Sequence, residues 1–156
     1  MRYEFPARGN RPAVKLIWYD GAQKPPRPEE LPGDENLPGI GALVIGDKGK
    51  ITYGSHGANR PAILSESKMA EVQKRPTRLP KSPGHYKEWI EACKNGKPAG
   101  SHFEYGGSLT ELALLGNIAF RMKGQKLLWD ARNMKFTNSS EANQWIKPAF
   151  REGWSL

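Results

Sequence analysis

The chain has one cysteine, three histidines, no block of like charge and no long apolar run. Each scarcity excludes something. Cys93 alone cannot form an intramolecular disulfide or a multi-cysteine zinc site. Its isolation also removes the usual disulfide argument for secretion, without fixing a compartment. The histidines, His56, His85 and His102, share no short spacing of the kind that makes metal donors converge, so no metal is expected. The longest apolar stretch, Leu112 to Phe120, contains Gly116 and Asn117 and falls well short of the about 20 residues that cross a bilayer. Met1 to Phe5 lacks the apolar segment of a signal peptide. No membrane partner is expected, and localisation stays open between the cytoplasm and export to the periplasm.

What is present suits one ordinary domain: 156 residues, 37% of them hydrophobic, with five Trp and five Phe to enlarge the buried area. The 24 Lys and Arg exceed the 16 Asp and Glu, for a net charge of +8. They are spread thinly, and the densest patch, Lys74 to Lys81, is broken by Pro76 and Pro80. Nucleic-acid sites cluster their basic residues. A solubilising basic surface is therefore preferred over a polyanion footprint, and no nucleic acid is expected as a partner.

Val14 to Tyr19 reads as a strand, β-branched and aromatic, stopped by Asp20-Gly21, with Tyr3 to Phe5 as its partner. Pro25, Pro26, Pro28, Pro32 and Pro38 make Ala22 to Pro38 an extended surface loop. The stretch Gly39-Ile40-Gly41 invites comparison with a phosphate-cradling loop. It lacks the third glycine, and it precedes an apolar run where the fingerprint must follow a strand and open a helix. Ala42 to Ile45, then Asp47-Lys48-Gly49, then Lys50 to Tyr53 predict a β-hairpin, with Gly49 free to take a positive φ. Arg60 to Leu64 predicts a further short strand, and Ser67 to Lys74 a helical turn.

Ser82-Pro83 predicts a helix start, with Ser as N-cap and Pro at the first helical position. Tyr86, Trp89, Ile90 and Cys93 would form its buried stripe, and Asn95-Gly96 its stop. Ser108 to Glu111 reads as a capping box opening a second helix to about Met122. This helix is apolar on more than one side and so is expected to be the most buried. Gly116 within it suggests close approach of another backbone. Gln125 to Trp129 reads as a strand, and Asn138 to Glu141 opens a last helix running to about Ile146, ended by Pro148. The pattern predicts an α+β domain: a large, mostly antiparallel, open-faced sheet with helices packed on one face.

Chemistry-bearing residues are few. Glu29, Glu30, Asp34 and Glu35 lie in the proline-rich loop, where nothing fixes a paired-carboxylate geometry. Trp18 and Trp129 sit in strand-like runs that suit a core or an interface. His56 and His85 read as exposed. The segment Gly100-Ser101-His102-Phe103-Glu104-Tyr105-Gly106-Gly107 is richer. Ser101, His102 and Tyr105 would hydrogen-bond a sugar or polyol while an aromatic ring covers its apolar face. The plainer alternative is a loop leading into a helix, with an exposed His and a buried Phe. It carries more weight, because a lone histidine without an orienting partner is rarely catalytic. No catalytic residue is assigned.

Four segments together carry a resemblance: "EFPARGNRPAVKLIWYDGAQKPPRPEEL", "GDKGKI", "LPKSPGHYKEWIEACKNGKPAGSHFEYGGSLTELALLGNIAFR" and "LLWDARNMKFTNSSEANQWIKPAFREGWSL". In this order they are similar to the C-terminal domain of the glucose–fructose oxidoreductase/inositol dehydrogenase (Gfo/Idh/MocA) family, bacterial branch, over almost the whole chain. The resemblance implies a domain of residues 1–156 that shapes a substrate pocket and builds a homo-oligomer. An upstream Rossmann domain would hold NAD or NADP and the catalytic residues. The Glu-Lys-Pro motif and the Asp/His pair of such enzymes do not occur here. Met1 is accordingly expected to mark a truncation, an artificial boundary or a stand-alone copy of the domain, with no cofactor bound by this chain alone.

Three functions follow from different classes. The first is the substrate-pocket and oligomerisation domain of an NAD(P)-dependent sugar or polyol oxidoreductase, inactive as an isolated fragment. The second is a stand-alone interaction module that self-associates through its open sheet face. The third is a basic polyanion binder, which salt-dependent DNA binding would support.

Overall fold

A computed structural model describes residues 1–54, 58–76, 78–147 and 149–154. The fold is mixed α+β, with four helices and three small antiparallel sheets among the described residues. The chain forms two compact units: Met1–Trp18 together with Ser82–Leu156, and Tyr19–Lys81.

In the first unit, β1 (Arg2–Phe5) pairs antiparallel with β2 (Val14–Ile17), Arg2 opposite Ile17 and Phe5 opposite Val14. Reciprocal backbone bonds of 3.0 Å between Arg8 and Arg11 close the link, and Gly9 supplies the φ of +59° that the turn needs. Helix α2 (His85–Asn95) ends at Gly96, whose left-handed φ of 66° lets its N–H reach the Ala92 carbonyl. Helix α3 (Phe103–Arg121) is the long element. Two short strands follow, β6 (Trp129–Asp130) and β7 (Lys135–Phe136), and then α4 (Ser140–Asn143). The Ser139 side chain caps α4 by accepting from the Ala142 N–H at 3.1 Å.

The best-packed region lies where α3 meets these last elements. Ile118, Met122, Phe136 and Ala142 are buried together, flanked by Leu115, Leu127, Trp129 and Ile146. Two asparagines substitute for missing strands. Asn143 accepts from the Phe136 N–H (2.7 Å) and donates to its carbonyl (2.9 Å). Asn138 accepts from the Leu128 N–H (2.8 Å) and donates to the Lys126 carbonyl (2.7 Å). Each amide completes backbone groups that a two-residue strand leaves open.

In the second unit, β3 (Gly41–Gly46), β4 (Gly49–Gly54) and β5 (Asn59–Ile63) form a three-stranded antiparallel sheet, followed by α1 (Glu66–Gln73). Gly46 pairs with Gly49 across Asp47-Lys48, and Gly49 takes φ +152°, so the expected hairpin is present. The proline-rich loop is organised around one side chain. Arg27 donates from Nε to Glu35 O (3.0 Å) and from Nη2 to Leu31 O (2.8 Å) and Gly33 O (2.5 Å). Pro28 and Leu31 are buried beneath this turn. Prolines remove backbone donors, so carbonyls are in excess here, and the guanidinium fork supplies the donors. Arg27→Lys is expected to loosen residues 28–35 even though the charge is kept, because an ammonium lacks the fork. Faster amide exchange at Leu31 and Glu35, with β3–β5 unchanged, would show it.

Several expectations need correction. The large open-faced sheet with helices on one face is instead three separate sheets of two, three and two strands. Gln125 to Trp129 pairs as a strand only at Trp129. Helix α2 begins at His85, not Pro83, because Gly84 takes φ 105° and ψ 145°. The Ser82 hydroxyl still accepts from the Gly84 N–H at 3.0 Å. The stripe Tyr86, Trp89, Ile90 and Cys93 is exposed, not buried. The Ser108–Glu111 capping box does not form, since α3 starts five residues earlier, at Phe103. Ser108 Oγ donates to the Glu104 carbonyl within the helix, and Glu111 accepts the Trp129 indole N–H at 2.6 Å. Helix α3 buries one side only, leaving Leu109, Leu114 and Phe120 exposed. What crowds Gly116 is side chain, not backbone: a Cβ there would stand 2.5 Å from the Tyr3 hydroxyl and 3.0 Å from Met1 Sδ. The Tyr3 hydroxyl donates to Leu112 O at 3.1 Å, and burial raises its pKa. Pro148, read as the end of the last helix, lies outside the described residues, as does His56.

Candidate functional site: the α2–α3 junction

Helix α2 stops at Gly96, and the chain turns through Lys97-Pro98-Ala99-Gly100-Ser101 before α3 begins. The turn encloses a groove of about 300 Å³, lined by Trp89, Cys93, Lys97, Ser101, His102 and Phe103 among others. The Trp89 and Phe103 rings meet edge to face, centroids 5.8 Å apart. His102 is the N-cap residue of α3, and its carbonyl accepts from the Gly106 N–H at 2.9 Å. Ser101 precedes it on the rim.

Glu88 fixes the geometry. It lies on the side of α2 away from the apolar stripe, and its carboxylate accepts from the Gly100 N–H at 3.1 Å. A hydrogen bond from the Ser82 hydroxyl and then this backbone N–H hold its pKa below the ordinary 4.5. The sign follows from linkage: a carboxylate with a lowered folded pKa stabilises above its unfolded value, and the effect is lost as pH falls through the folded one. Acidification below pH 4.5 is therefore expected to release the 97–101 turn. Trp89 fluorescence should report the change, and Glu88→Gln should flatten that acid limb.

Of the three residues expected to bind substrate, the structure brings Ser101 and His102 to the groove. Tyr105 does not line it. Tyr105 lies in the first turns of α3 and is 63% exposed, so residues 103–107 are helix and not the flexible loop the glycines suggested. Phe103, expected to be buried, is 80% exposed. Sequence reasoning missed Glu88 and Trp89 as site-builders. Glu88 left no signal beyond being one polar residue on a helix. Trp89 was visible but was assigned to a core. His85 stacks against Tyr86 with centroids 4.0 Å apart.

The groove offers a hydroxyl, an imidazole and an ammonium beside two aromatic rings, a donor set suited to a hydroxylated ligand with an apolar face. Among the described residues no group of three or more His, Cys, Asp or Glu converges as a metal site. Gly39-Ile40-Gly41 does not form a dinucleotide-binding turn: it runs into β3, which pairs with β4, and opens no helix. No described helix is long and apolar enough to cross a membrane.

The other notable property is exposure. The chain exposes 13926 Å². Two separate globules dividing 17.4 kDa as these units do would expose about 9,400 Å². Only Leu31, Ile118, Met122, Phe136 and Ala142 are buried hydrophobics among the described residues, while Phe5, Ile17, Trp18, Val44, Ile45 and Trp89 are exposed. An excess of this size exceeds the area of a standard protein–protein interface.

No family model matches this chain. No curated protein matches it either.

Proposed function

We propose that this chain is the substrate-pocket and assembly part of an NAD(P)-dependent sugar or polyol oxidoreductase, working with a dinucleotide-binding domain that supplies the coenzyme site. The observation that carries the reading is the exposed apolar surface. A chain that leaves this much Trp, Phe, Ile and Leu in water is stable when other protein covers it. The resemblance to the Gfo/Idh/MocA C-terminal domain supplies the identity of that other protein. The groove at Trp89, Ser101, His102 and Phe103 supplies a place for the hydroxyls and apolar face of a polyol. The chain's role is to bind and position substrate, while the coenzyme carries the redox chemistry.

The test is to join the 156 residues to a Rossmann domain of an inositol-dehydrogenase type and follow NAD(P)H formation with a panel of polyols. The expected result is turnover by the joined protein and none by the chain alone. Coenzyme-dependent oxidation by the chain alone, or no turnover by a joined protein that folds and binds NAD(P), would contradict it.

The exposed surface also favours a second reading, a stand-alone interaction module that associates with itself. Its sheet-face form is less favoured, since the sheets are small. Self-association of the chain together with no turnover by a joined protein that folds and binds NAD(P) would distinguish it.

A further inference from the structure

Helix α3 buries one side against the core, through Leu115, Ile118 and Met122. Its opposite side is open and carries no charge from Tyr105 to Phe120, the one acid in that span, Glu111, being bonded to the Trp129 indole. A nineteen-residue helix that is uncharged on its water side is a helix meant to be covered.

The arrangement of that face indicates what covers it. At 3.6 residues per turn, Gly106, Thr110, Ala113 and Asn117 form a floor of small side chains. Leu109 and Phe120 rise along one flank, and Phe103 and Leu114 along the other. They are 59%, 78%, 80% and 56% exposed. The pattern is symmetric about a point between Glu111 and Leu112. Phe103 and Phe120, Gly106 and Asn117, Leu109 and Leu114, and Thr110 and Ala113 are equidistant pairs. An isologous interface sets the same patch of both copies face to face across a twofold axis.

We infer that two copies of this chain pair through the outer faces of their α3 helices, antiparallel, with the twofold axis between Glu111 and Leu112. The inference rests on the assembly part of the proposed function and names its surface. Rotation about that axis keeps each flank on its own side. Leu109 of one copy then falls between the other copy's Leu109 and Phe120, and the large side chains interleave over the small floor. Gly106, Thr110 and Ala113 allow the backbones to approach closely. The antiparallel sense also sets the two helix dipoles in opposition. The charge-free centre spares two chains of net charge +8 from direct repulsion. The four large side chains bring on the order of 500 Å² per copy, and the pair therefore reaches about 1,000 Å², the threshold for a specific interface.

The test uses the full chain with Cys93→Ser, since Cys93 is exposed, and two further single variants, Gly106→Cys and Asn117→Cys. A Cβ at Gly106 meets nothing within 4 Å, so the change is tolerated. Mixing the two variants with a short dithiol cross-linker is expected to give covalent dimers, and neither variant alone should give them. Light scattering should show twice the 17.4 kDa chain mass for the parent and a shift to the single mass for Leu114→Asp, with helicity unchanged by circular dichroism. A monomeric parent, a dimer indifferent to Leu114→Asp, or cross-linking of Gly106→Cys to itself would overturn the inference. These readouts are mass and cross-linking only. Lost pairing with turnover retained in the joined protein removes this inference alone, whereas pairing without turnover removes the oxidoreductase reading alone.

Discussion

Phe136→Ala is expected to destabilise the first unit by about 3–5 kcal/mol, the range for removing a buried aromatic ring. The effect is large because the core is small. Phe136 is 4% exposed and packs with Ile118, Met122 and Ala142, and its ring lies 4.9 Å from that of Trp129. Truncation removes the ring's dispersion contacts and leaves a cavity that the short strands β6 and β7 cannot close. Trp129 is tied by its indole N–H to Glu111 at 2.6 Å and is not free to collapse inward. Small domains have stabilities of about 5–15 kcal/mol, so the loss takes a large share of the total. Urea titration followed by Trp fluorescence should show a lower midpoint, with β3–β5 retaining their amide protection.

Asn143→Ala comes next, at about 2–4 kcal/mol, because it strands both the N–H and the carbonyl of Phe136 in a partly buried position. The direction can be checked with a second variant. Asn143→Asp keeps an acceptor for the N–H but opposes a carboxylate to the carbonyl, so it should retain the 2.7 Å bond and lose the 2.9 Å one. Its loss should fall between wild type and alanine at neutral pH. If alanine and wild type unfold at the same urea concentration, the amide is not acting as a strand.

The sequence made local structure legible wherever turn chemistry was decisive. Gly49 and Gly96 take the positive φ that their positions implied, and the β1–β2 pairing and the three strands β3, β4 and β5 follow from β-branched runs between turns. Failures came where one residue had two possible uses. Ser108 and Glu111 have capping-box spacing, yet the helix extends past them because Glu111 is taken by Trp129 and Ser108 bonds back to Glu104. Ser82-Pro83 has start chemistry, yet Gly84 breaks the helical path before His85. The large sheet was an inference from strand count, and strand count says nothing about which edges meet.

The site was half legible. Ser101 and His102 lie at the groove, whereas Tyr105 leaves it once residues 103–107 become helix. The apolar stripe Tyr86, Trp89, Ile90 and Cys93 shows the limit most clearly. Periodicity identifies a face that avoids water but not what covers it, and in one chain Phe103 covers only part of Trp89 while the stripe stays exposed. Arg27 carried an overlooked signal: a multi-donor side chain in a segment whose prolines leave carbonyls without donors.

All of this converges on one claim, that the uncovered apolar surface is protein interface. Sedimentation velocity over a concentration series tests it most directly, with an apolar fluorescent dye as a second readout. The account predicts reversible association as concentration rises, accompanied by loss of dye binding. A single monomeric species at every concentration, with no dye bound, would contradict it.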